Sequence, residues 1–170
     1  VMVSVTTLDD GLKRTLEPRT AAPARRLAVI RRVAEAGVPV GTLIAPVIPA
    51  LNDHELEDIL AAAAAAGADS AAWILLRLPH EVRTLFEEWL RTHLPDRADR
   101  VLSLLRQARG GRDNDPRFGH RMRGGGPWID LLERRFALAC RRLGLRVGEH
   151  RDPVTDLFRL PDAADQLDLL

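Results

Sequence analysis

Two hydroxyl side chains, Ser4 and Thr6, alternate along the first apolar segment of the chain, VMVSVTT. Residues two apart in a strand lie on the same face, so both hydroxyls are expected on one side of a sheet. A hydroxyl at the end of a strand can donate to and accept from a ribose or a carboxylate. Strands also favour threonine for conformational reasons, so a purely structural role is the alternative.

Three charged residues are further candidates for ligand contacts. Glu17 and Arg19 flank Pro18, whose ring fixes the backbone and can hold a carboxylate and a guanidinium close together at low entropic cost. Arg77 interrupts the apolar segment AAWILLRL near the end of a predicted strand, where ligands of parallel α/β proteins bind. The alternatives are two solvated loop charges at positions 17 and 19, and an arginine at 77 that is paired within the fold.

The stretch 38–55, VPVGTLIAPVIPALNDHE, begins as an apolar strand and ends in two prolines that precede a capped helix. Strand ends of this kind hold cofactors in α/β proteins, because their backbone groups are free to meet a ligand. Ala45, Pro46 and Val47 offer apolar walls and backbone groups to such a ligand. The alternative is a buried strand of a sheet, which this segment is expected to be in either case.

These candidates are positioned by elements that alternate along the chain. Strands are predicted at 1–7, 38–47 and 70–78, with helices at 23–36 and 53–66 between them. Strands and helices that alternate with short connections are typical of βαβ units and a parallel sheet, either open or rolled into a barrel. The fold class is therefore predicted to be α/β, with about three parallel strands.

The pattern changes after Pro79. Amphipathic helices are predicted at 81–93, 97–109 and 127–143, and only a weak strand signal follows at 145–149. The predicted organisation has three parts: an α/β region at 1–79, a helical C-terminal extension at 80–145 that contains an Arg/Gly-rich loop at 106–126, and a tail at 146–170 that is expected to be poorly ordered.

Charge, apolar runs, and the cysteine and histidine content argue against several classes of function. The net charge is +1, so no global field attracts the chain to nucleic acid or to a membrane, and no apolar run approaches the roughly 18 to 20 residues of a membrane span. A single cysteine, Cys140, excludes an internal disulfide and predicts a cytoplasmic protein. Its place on an apolar helical stripe indicates a small buried hydrophobe. The five histidines lack metal-ligand spacing, which argues against zinc.

An ordered set of segments resembles the second half of the radical SAM barrel, a TIM-barrel-like α/β fold. These segments are VSVTTLD at 3–9, LEPR at 16–19, AGVPVG at 36–41, APVIP at 45–49 and LNDHE at 51–55. RLPHE at 77–81 and RFGHRMRG at 117–124 resemble the spore photoproduct lyase-like group of that family. Ala50 stands where the family usually has glycine, which argues against a special backbone angle at this turn.

The resemblance implies a partial (β/α) barrel that binds S-adenosylmethionine (SAM) and a 4Fe-4S cluster. The residues that it implies at the SAM site are Ser4, Thr6, Glu17, Arg19, Ala45, Pro46, Val47 and Arg77. The family holds its iron–sulfur cluster with a CxxxCxxC motif, which this chain lacks, so those ligands are expected upstream of Val1. The parent protein is thus expected to be a radical SAM enzyme, with lyase chemistry as a candidate. The isolated chain is expected to hold no cofactor and to be inactive.

The resemblance also sets the expected partners. The first is the missing N-terminal half of the barrel, and DNA is a candidate substrate. The exposed edge of the first strand predicts self-association as an alternative. A competing hypothesis is a non-enzymatic α/β module that binds nucleic acid or a protein through the Arg/Gly-rich loop. That loop holds six arginines, at positions 106, 109, 112, 117, 121 and 123, against two aspartates.

Overall fold

The computed structural model describes residues 1–112 and 122–148. The strands in this part of the chain are Met2–Ser4 (β1), Gly41–Val47 (β2), Ser70–Leu75 (β3) and Arg146–Val147 (β4). The helices are Asp10–Leu16 (α1), Pro23–Glu35 (α2), Leu56–Ala65 (α3), Val82–His93 (α4), Pro95–Ala108 (α5) and Pro127–Leu143 (α6). A 3₁₀ turn at Asp53–Glu55 leads into α3.

The strands form one parallel sheet in the order β1-β2-β3-β4, so the predicted α/β class is confirmed. Ser4 pairs with Leu43, and Leu43 pairs with Ala72. The carboxyl ends of β1, β2 and β3 therefore lie along one edge of the sheet, here called the carboxyl edge. Parallel strands that follow one another in this order, with right-handed crossovers, place their helices on a single face of the sheet.

The two faces of the sheet are buried to different degrees. On one face, Ile44, Trp73 and Leu75 are at most 6% exposed and belong to the hydrophobic core. On the other face, Leu43 and Ile74 are half-buried and lie outside that core. Because α2 contacts β1, α3 contacts β2 and α6 packs on α3, the helical layer covers the first face.

The long helical segment after β3 returns the chain to the sheet. Arg146 and Val147 pair with Ser70 and Ala71, so the sheet has four strands where about three were predicted. Residues 80–145, which were predicted to form a helical C-terminal extension, lie between β3 and β4 in the chain. The expected tail at 146–170 begins with β4, and residues 149–170 lie outside the described part of the chain.

A short helix, α1, follows β1 where only a strand boundary was expected. Asp9 caps it, because its Oδ1 accepts a hydrogen bond of 2.6 Å from the backbone N–H of Gly11. Seven residues are too few for helical periodicity to stand out in the sequence. β1 ends at Ser4, earlier than predicted, and residues 5–9 lead from the sheet into this helix.

The turn that contains Ala50 was expected to have an ordinary backbone angle, and this expectation is wrong. Ala50 adopts a φ of +58°, in the left-handed region that favours glycine. The turn is fixed by backbone hydrogen bonds from Leu51 and Asn52 to the carbonyl of Ile48. These bonds hold the left-handed conformation even though the residue there has a Cβ atom.

Ala50→Gly is expected to stabilise the protein by about 0.5 kcal/mol. Glycine removes the steric strain that alanine has at positive φ, and this gain exceeds the entropic cost of ordering a more flexible residue. The same change at exposed Ala61, in the middle of α3, is expected to cost about 1 kcal/mol. Urea unfolding of both variants measures the difference. Equal losses at the two positions would contradict the left-handed conformation at Ala50.

An ion pair fixes α3 to α6. Arg135 donates to both carboxylate oxygens of Glu57, over 2.8 and 2.6 Å, and to the carbonyl of Asp53 over 3.0 Å. The hydrogen bond from Arg135 holds the pKa of Glu57 below its ordinary value of 4.5. On acidification, the carboxylate of Glu57 therefore takes up a proton at a higher pH in the unfolded chain than in the folded protein. The stabilising contribution of the pair is complete above pH 4.5 and is lost as the pH falls through the lower pKa of the folded state.

Glu57→Gln is expected to lower stability at neutral pH by at most about 1 kcal/mol, since the pair is partly exposed. Between neutral pH and pH 3, the wild type is expected to lose more thermal stability than the variant. Melting temperatures across this range provide the test. Two parallel curves would show that the pair contributes nothing in solution.

Candidate functional site

Two hydroxyls join the ends of β1 and β2. Ser4 Oγ and Thr6 Oγ1 both donate to the carbonyl oxygen of Ala45, over 3.1 and 2.9 Å. They thus reach the same backbone group. Thr6 is only 1% exposed, so its role here is structural, whereas Ser4 is half-buried and keeps part of its surface accessible. Each hydroxyl oxygen also retains lone pairs, with which it can accept a hydrogen bond.

The predicted grouping of Glu17 with Arg19 does not form. Glu17 instead accepts a hydrogen bond of 2.8 Å from Arg26, on α2. The same guanidinium donates to the carbonyl of Ser4 over 3.0 Å and to Thr20 Oγ1 over 2.8 Å. Arg19 is exposed, and within residues 1–112 and 122–148 it has no hydrogen bond or ion pair. Arg26 therefore positions the end of β1, a role that the sequence analysis missed.

Asn52 connects three backbone segments at the carboxyl edge. Its amide nitrogen donates to the carbonyls of Thr6, over 2.8 Å, and Pro46, over 2.9 Å, while its Oδ1 accepts from the N–H of Ile48 over 2.7 Å. The side chain is buried, with 2% of the residue exposed. Asn52 precedes the 3₁₀ turn but makes no capping hydrogen bond with its side chain, which instead holds β1 and β2 together at their ends.

Glu55 supports the same region from the 3₁₀ turn. Its carboxylate accepts from Thr7 Oγ1 and from the backbone N–H of Leu8, both over 2.6 Å. Thr7 Oγ1 in turn accepts from the N–H of Asp9, the cap of α1. We call Thr7, Asn52 and Glu55 the strand-end brace. The contacts of Glu55 with Thr7 and Leu8 join residues 48 and 47 positions apart, so local sequence patterns do not reveal them.

The three residues predicted to surround a nucleobase differ in accessibility. Val47 is 1% exposed and belongs to the core, so its side chain is not available to a ligand. Ala45 and Pro46 are half-buried and are joined by a cis peptide bond. Their position near the end of β2, beside Ser4, makes them the accessible apolar residues of the predicted set.

Arg77 lies two residues beyond β3, at the carboxyl edge. Its Nε is buried and has no hydrogen-bond partner among the described residues. The peptide group before it is held on both sides: the N–H of Leu76 donates to Val47 O, and Arg109 Nη2 donates to Leu76 O, each over 2.9 Å. Arg77 therefore lies just beyond a strand end, and among the described residues its Nε has no partner of the kind that the alternative hypothesis requires.

A groove of about 390 Å³ lies between α1, the turn before α3 and the junction of α4 and α5. Glu55 contributes to its lining together with Thr15, His54, His93 and Arg97. The indole N–H of Trp89 donates to the carbonyl of Thr15, which holds α4 against α1. The groove thus has a polar lining and is next to the strand-end brace.

Metal ligands are not grouped in the part of the chain that the structure describes. No cluster of three or more His, Cys, Asp or Glu residues is placed there to hold an ion. Cys140 is 0% exposed, and burial raises the pKa of its thiol to about 11. The prediction of a buried hydrophobic cysteine is confirmed.

Cys140 is expected to resist alkylation in the native protein. At pH 8, a pKa near 11 leaves only about a thousandth of the thiol as reactive thiolate, and burial excludes the reagent as well. Iodoacetamide labelling followed by mass spectrometry is expected to give full modification in denaturant and very little without it. Rapid labelling of the native chain would contradict the buried position.

The Arg/Gly-rich loop is described only in part. Residues 113–121 lie outside the described residues, which leaves out Arg117 and Arg121. Arg109 is 4% exposed and holds the carbonyl of Leu76, so it is not available to a nucleic acid. Nucleic-acid binding through this loop stays a prediction. In the described part of the chain, no helix has the length and apolar character that a membrane span requires.

No protein-family model matches the chain, and no solved structure matches it. It is 35% identical over 109 residues to an uncharacterized protein of Mycobacterium tuberculosis, an alignment that covers 63% of this chain and 32% of that protein. An uncharacterized protein of Mycobacterium bovis gives the same values. An uncharacterized protein of Acidianus two-tailed virus is 39% identical over 49 residues, 29% of this chain and 16% of the viral protein. The chain spans about a third of the length of the mycobacterial relatives that it matches.

Proposed function

We propose that the chain is part of a radical SAM enzyme of the spore photoproduct lyase-like group and supplies consecutive βα units of its barrel. The strand order β1-β2-β3-β4 supports this, because a sheet wound in one direction is the arrangement from which a (β/α) barrel is built. Further support comes from Leu43 and Ile74, which lie on the face without helical cover. In a closed barrel that face lines the interior.

The carboxyl edge fits a nucleoside cofactor with a carboxylate. Ser4 is half-buried and retains acceptor lone pairs for a ribose hydroxyl, because its own proton is donated to Ala45 O. Ala45 and Pro46 provide apolar surface for a base. Arg77 offers a guanidinium whose buried Nε has no partner among the described residues, and this group is a suitable donor for a carboxylate. When bound in such a site, SAM supplies a source of carbon radicals for hydrogen abstraction, while these residues bind and orient it.

A 4Fe-4S cluster does not fit this chain. The sequence has one cysteine, and that residue is fully buried with its thiol protonated at neutral pH. The proposal therefore assigns the cluster ligands to another part of the parent protein. In the described sheet, β1 pairs on one side only, with β2, and Val1 and Met2 are 64% and 48% exposed. The proposal is that a strand from the parent protein pairs with the other side of β1. Self-association of isolated chains through this edge stays a prediction.

The observation that carries the proposal is the position of Ser4, Ala45 and Arg77 along one edge of a sheet wound in one direction. The corresponding experiment uses the longer protein, expressed anaerobically with the sequence that precedes Val1. Iron and sulfide in a 4:4 ratio, and release of 5′-deoxyadenosine from SAM after reduction, are expected. A longer protein that contains no CxxxCxxC motif and leaves SAM intact would overturn the proposal.

The contribution of this chain to SAM binding is tested by matched serine and threonine variants. Ser4→Ala in the longer protein is expected to weaken SAM binding about tenfold, the effect of losing one hydrogen bond in a buried site. Thr92→Ala is the control, because Thr92 is exposed on α4 and bonds only within its own helix. Equal affinities of both variants for SAM, measured by calorimetry, would remove Ser4 from the site.

A further inference from the structure

Arg77 differs from the other buried or half-buried arginines of the described chain in its lack of a partner. Arg26, Arg135 and Arg146 each pair with a carboxylate, and Arg109 bonds a backbone carbonyl. For Arg77, by contrast, no hydrogen bond or ion pair is found within residues 1–112 and 122–148, and its Nε is shielded from solvent. A donor atom that is shielded from solvent and lacks an acceptor is unfavourable, and an arriving acceptor removes that penalty.

The backbone next to Arg77 is fixed before any ligand arrives. Both polar groups of the Leu76 peptide are used, one by Val47 and the other by Arg109. The end of β3 therefore presents the Arg77 guanidinium from a backbone of restricted motion, which lowers the entropic cost of binding an anion.

The chemistry of the guanidinium indicates the class of ligand. Its planar donors match two oxygens of a carboxylate or a phosphate, whereas neutral ligands leave the charge uncompensated. Carboxyl edges of parallel sheets are also where small ligands bind in α/β proteins. Both considerations favour a small oxyanion over an apolar ligand at this position.

We propose that Arg77 forms an oxyanion site at the carboxyl edge, which binds the carboxylate or phosphate group of a small ligand. The site does not depend on the radical SAM function. Two sources of the oxyanion fit it, the carboxylate of SAM and an acidic group of a substrate. In either case Arg77 acts by direct contact with the ligand.

Phosphate binding by the 170-residue chain tests the site without any cofactor. Inorganic phosphate is expected to raise the melting temperature of the wild type above that in sodium chloride of equal ionic strength. Arg77→Met is expected to abolish the phosphate-specific increase, and Arg77→Lys to retain part of it, because lysine keeps the charge without the planar fork. Arg31→Gln is the matched control, since Arg31 is exposed on α2 and unpaired among the described residues, and it should leave the increase unchanged.

The stability of the ligand-free variants separates a binding role from a structural one. Because Arg77 makes no hydrogen bond or ion pair within residues 1–112 and 122–148, Arg77→Met is expected to melt at or above the wild-type temperature in sodium chloride. A variant that is unfolded or clearly less stable would show that Arg77 supports the fold and would overturn the proposal. An increase with phosphate that is the same in the wild type and in Arg77→Met would overturn it as well.

The two sources of the oxyanion are distinguished in the longer protein by SAM and by methylthioadenosine, which lacks the carboxylate. If the carboxylate of SAM occupies the site, Arg77→Met weakens SAM binding about tenfold and leaves methylthioadenosine binding unchanged. If a substrate occupies it, both nucleosides bind the variant as before, while the phosphate effect is still lost. Phosphate binding at Arg77 in a protein that does not bind SAM would uphold the site and refute the proposed function.

Discussion

Asn52→Ala is expected to destabilise the protein by about 3 to 4 kcal/mol, a large part of the stability of a typical domain. The substitution leaves the carbonyls of Thr6 and Pro46 and the N–H of Ile48 without their partner at a site that is 2% exposed. Each buried polar group left unpaired costs about 1 to 3 kcal/mol, and water that enters the space vacated by the side chain offsets part of the sum. Urea unfolding followed by circular dichroism measures the loss.

Two further variants sharpen this test. Asn52→Asp keeps the acceptor for Ile48 but replaces the donor to the two carbonyls by a negative oxygen, so it is expected to be at least as destabilising at neutral pH. His54→Ala is the control two residues away, because His54 is exposed, and its effect should remain within about 0.5 kcal/mol. A loss below about 1 kcal/mol for Asn52→Ala would mean that the strand ends do not depend on this side chain.

Glu55→Ala is expected to cost about 2 to 4 kcal/mol, since the backbone N–H of Leu8 and the hydroxyl of Thr7 both lose a buried charged acceptor. Glu55→Gln keeps one acceptor oxygen and turns an N–H₂ group toward the other donor, so a smaller loss of about 1 to 2 kcal/mol is expected. Urea unfolding at pH 7 provides both values.

The control for Glu55 is Asp58→Asn, a comparable loss of one carboxylate from an exposed position on α3. Its effect should be within about 0.5 kcal/mol. Hydrogen exchange adds a local measurement. In Glu55→Ala, the amide of Leu8 is expected to exchange much faster than in the wild type, because its hydrogen bond is removed. Unchanged protection of Leu8 would show that the carboxylate does not hold this amide.

The regular elements of the fold follow from local sequence patterns, and those patterns were sufficient to predict the central strands β2 and β3 and most helices. The apolar segments that became β2 and β3, and the helical segments that became α2 to α6, each show their pattern among residues that are neighbours in sequence. β4 was missed as a member of the sheet because Arg146 and Val147 form only two residues of strand. Their pairing is favoured by contacts with the distant Asp69, to which Arg146 forms an ion pair.

The candidate site was less predictable, because its contacts join residues far apart in sequence. Ser4 and Thr6 were predicted to share one face of a strand; β1 ends at Ser4, but both hydroxyls donate to the same carbonyl, that of Ala45. Glu17 was grouped with Arg19 because they are neighbours in sequence, but the turn of α2 brings Arg26 to the carboxylate instead. Asn52 has the residue type of a helix cap, and only the folded positions of β1 and β2 reveal that it bonds their ends.

The pairing of β4 with β3 also gives the helices between them distinct roles. α6 packs on α3 and contacts β4, as the helix of a βα unit does, whereas α4 and α5 contact each other and precede it. The α4–α5 hairpin is thus an insertion within an otherwise regular crossover, placed after the carboxyl end of β3. Insertions at such positions can change in length or sequence while the sheet register is retained. Divergence in ligand preference among related proteins is therefore expected to concentrate in this hairpin, leaving the scaffold beneath it unaltered.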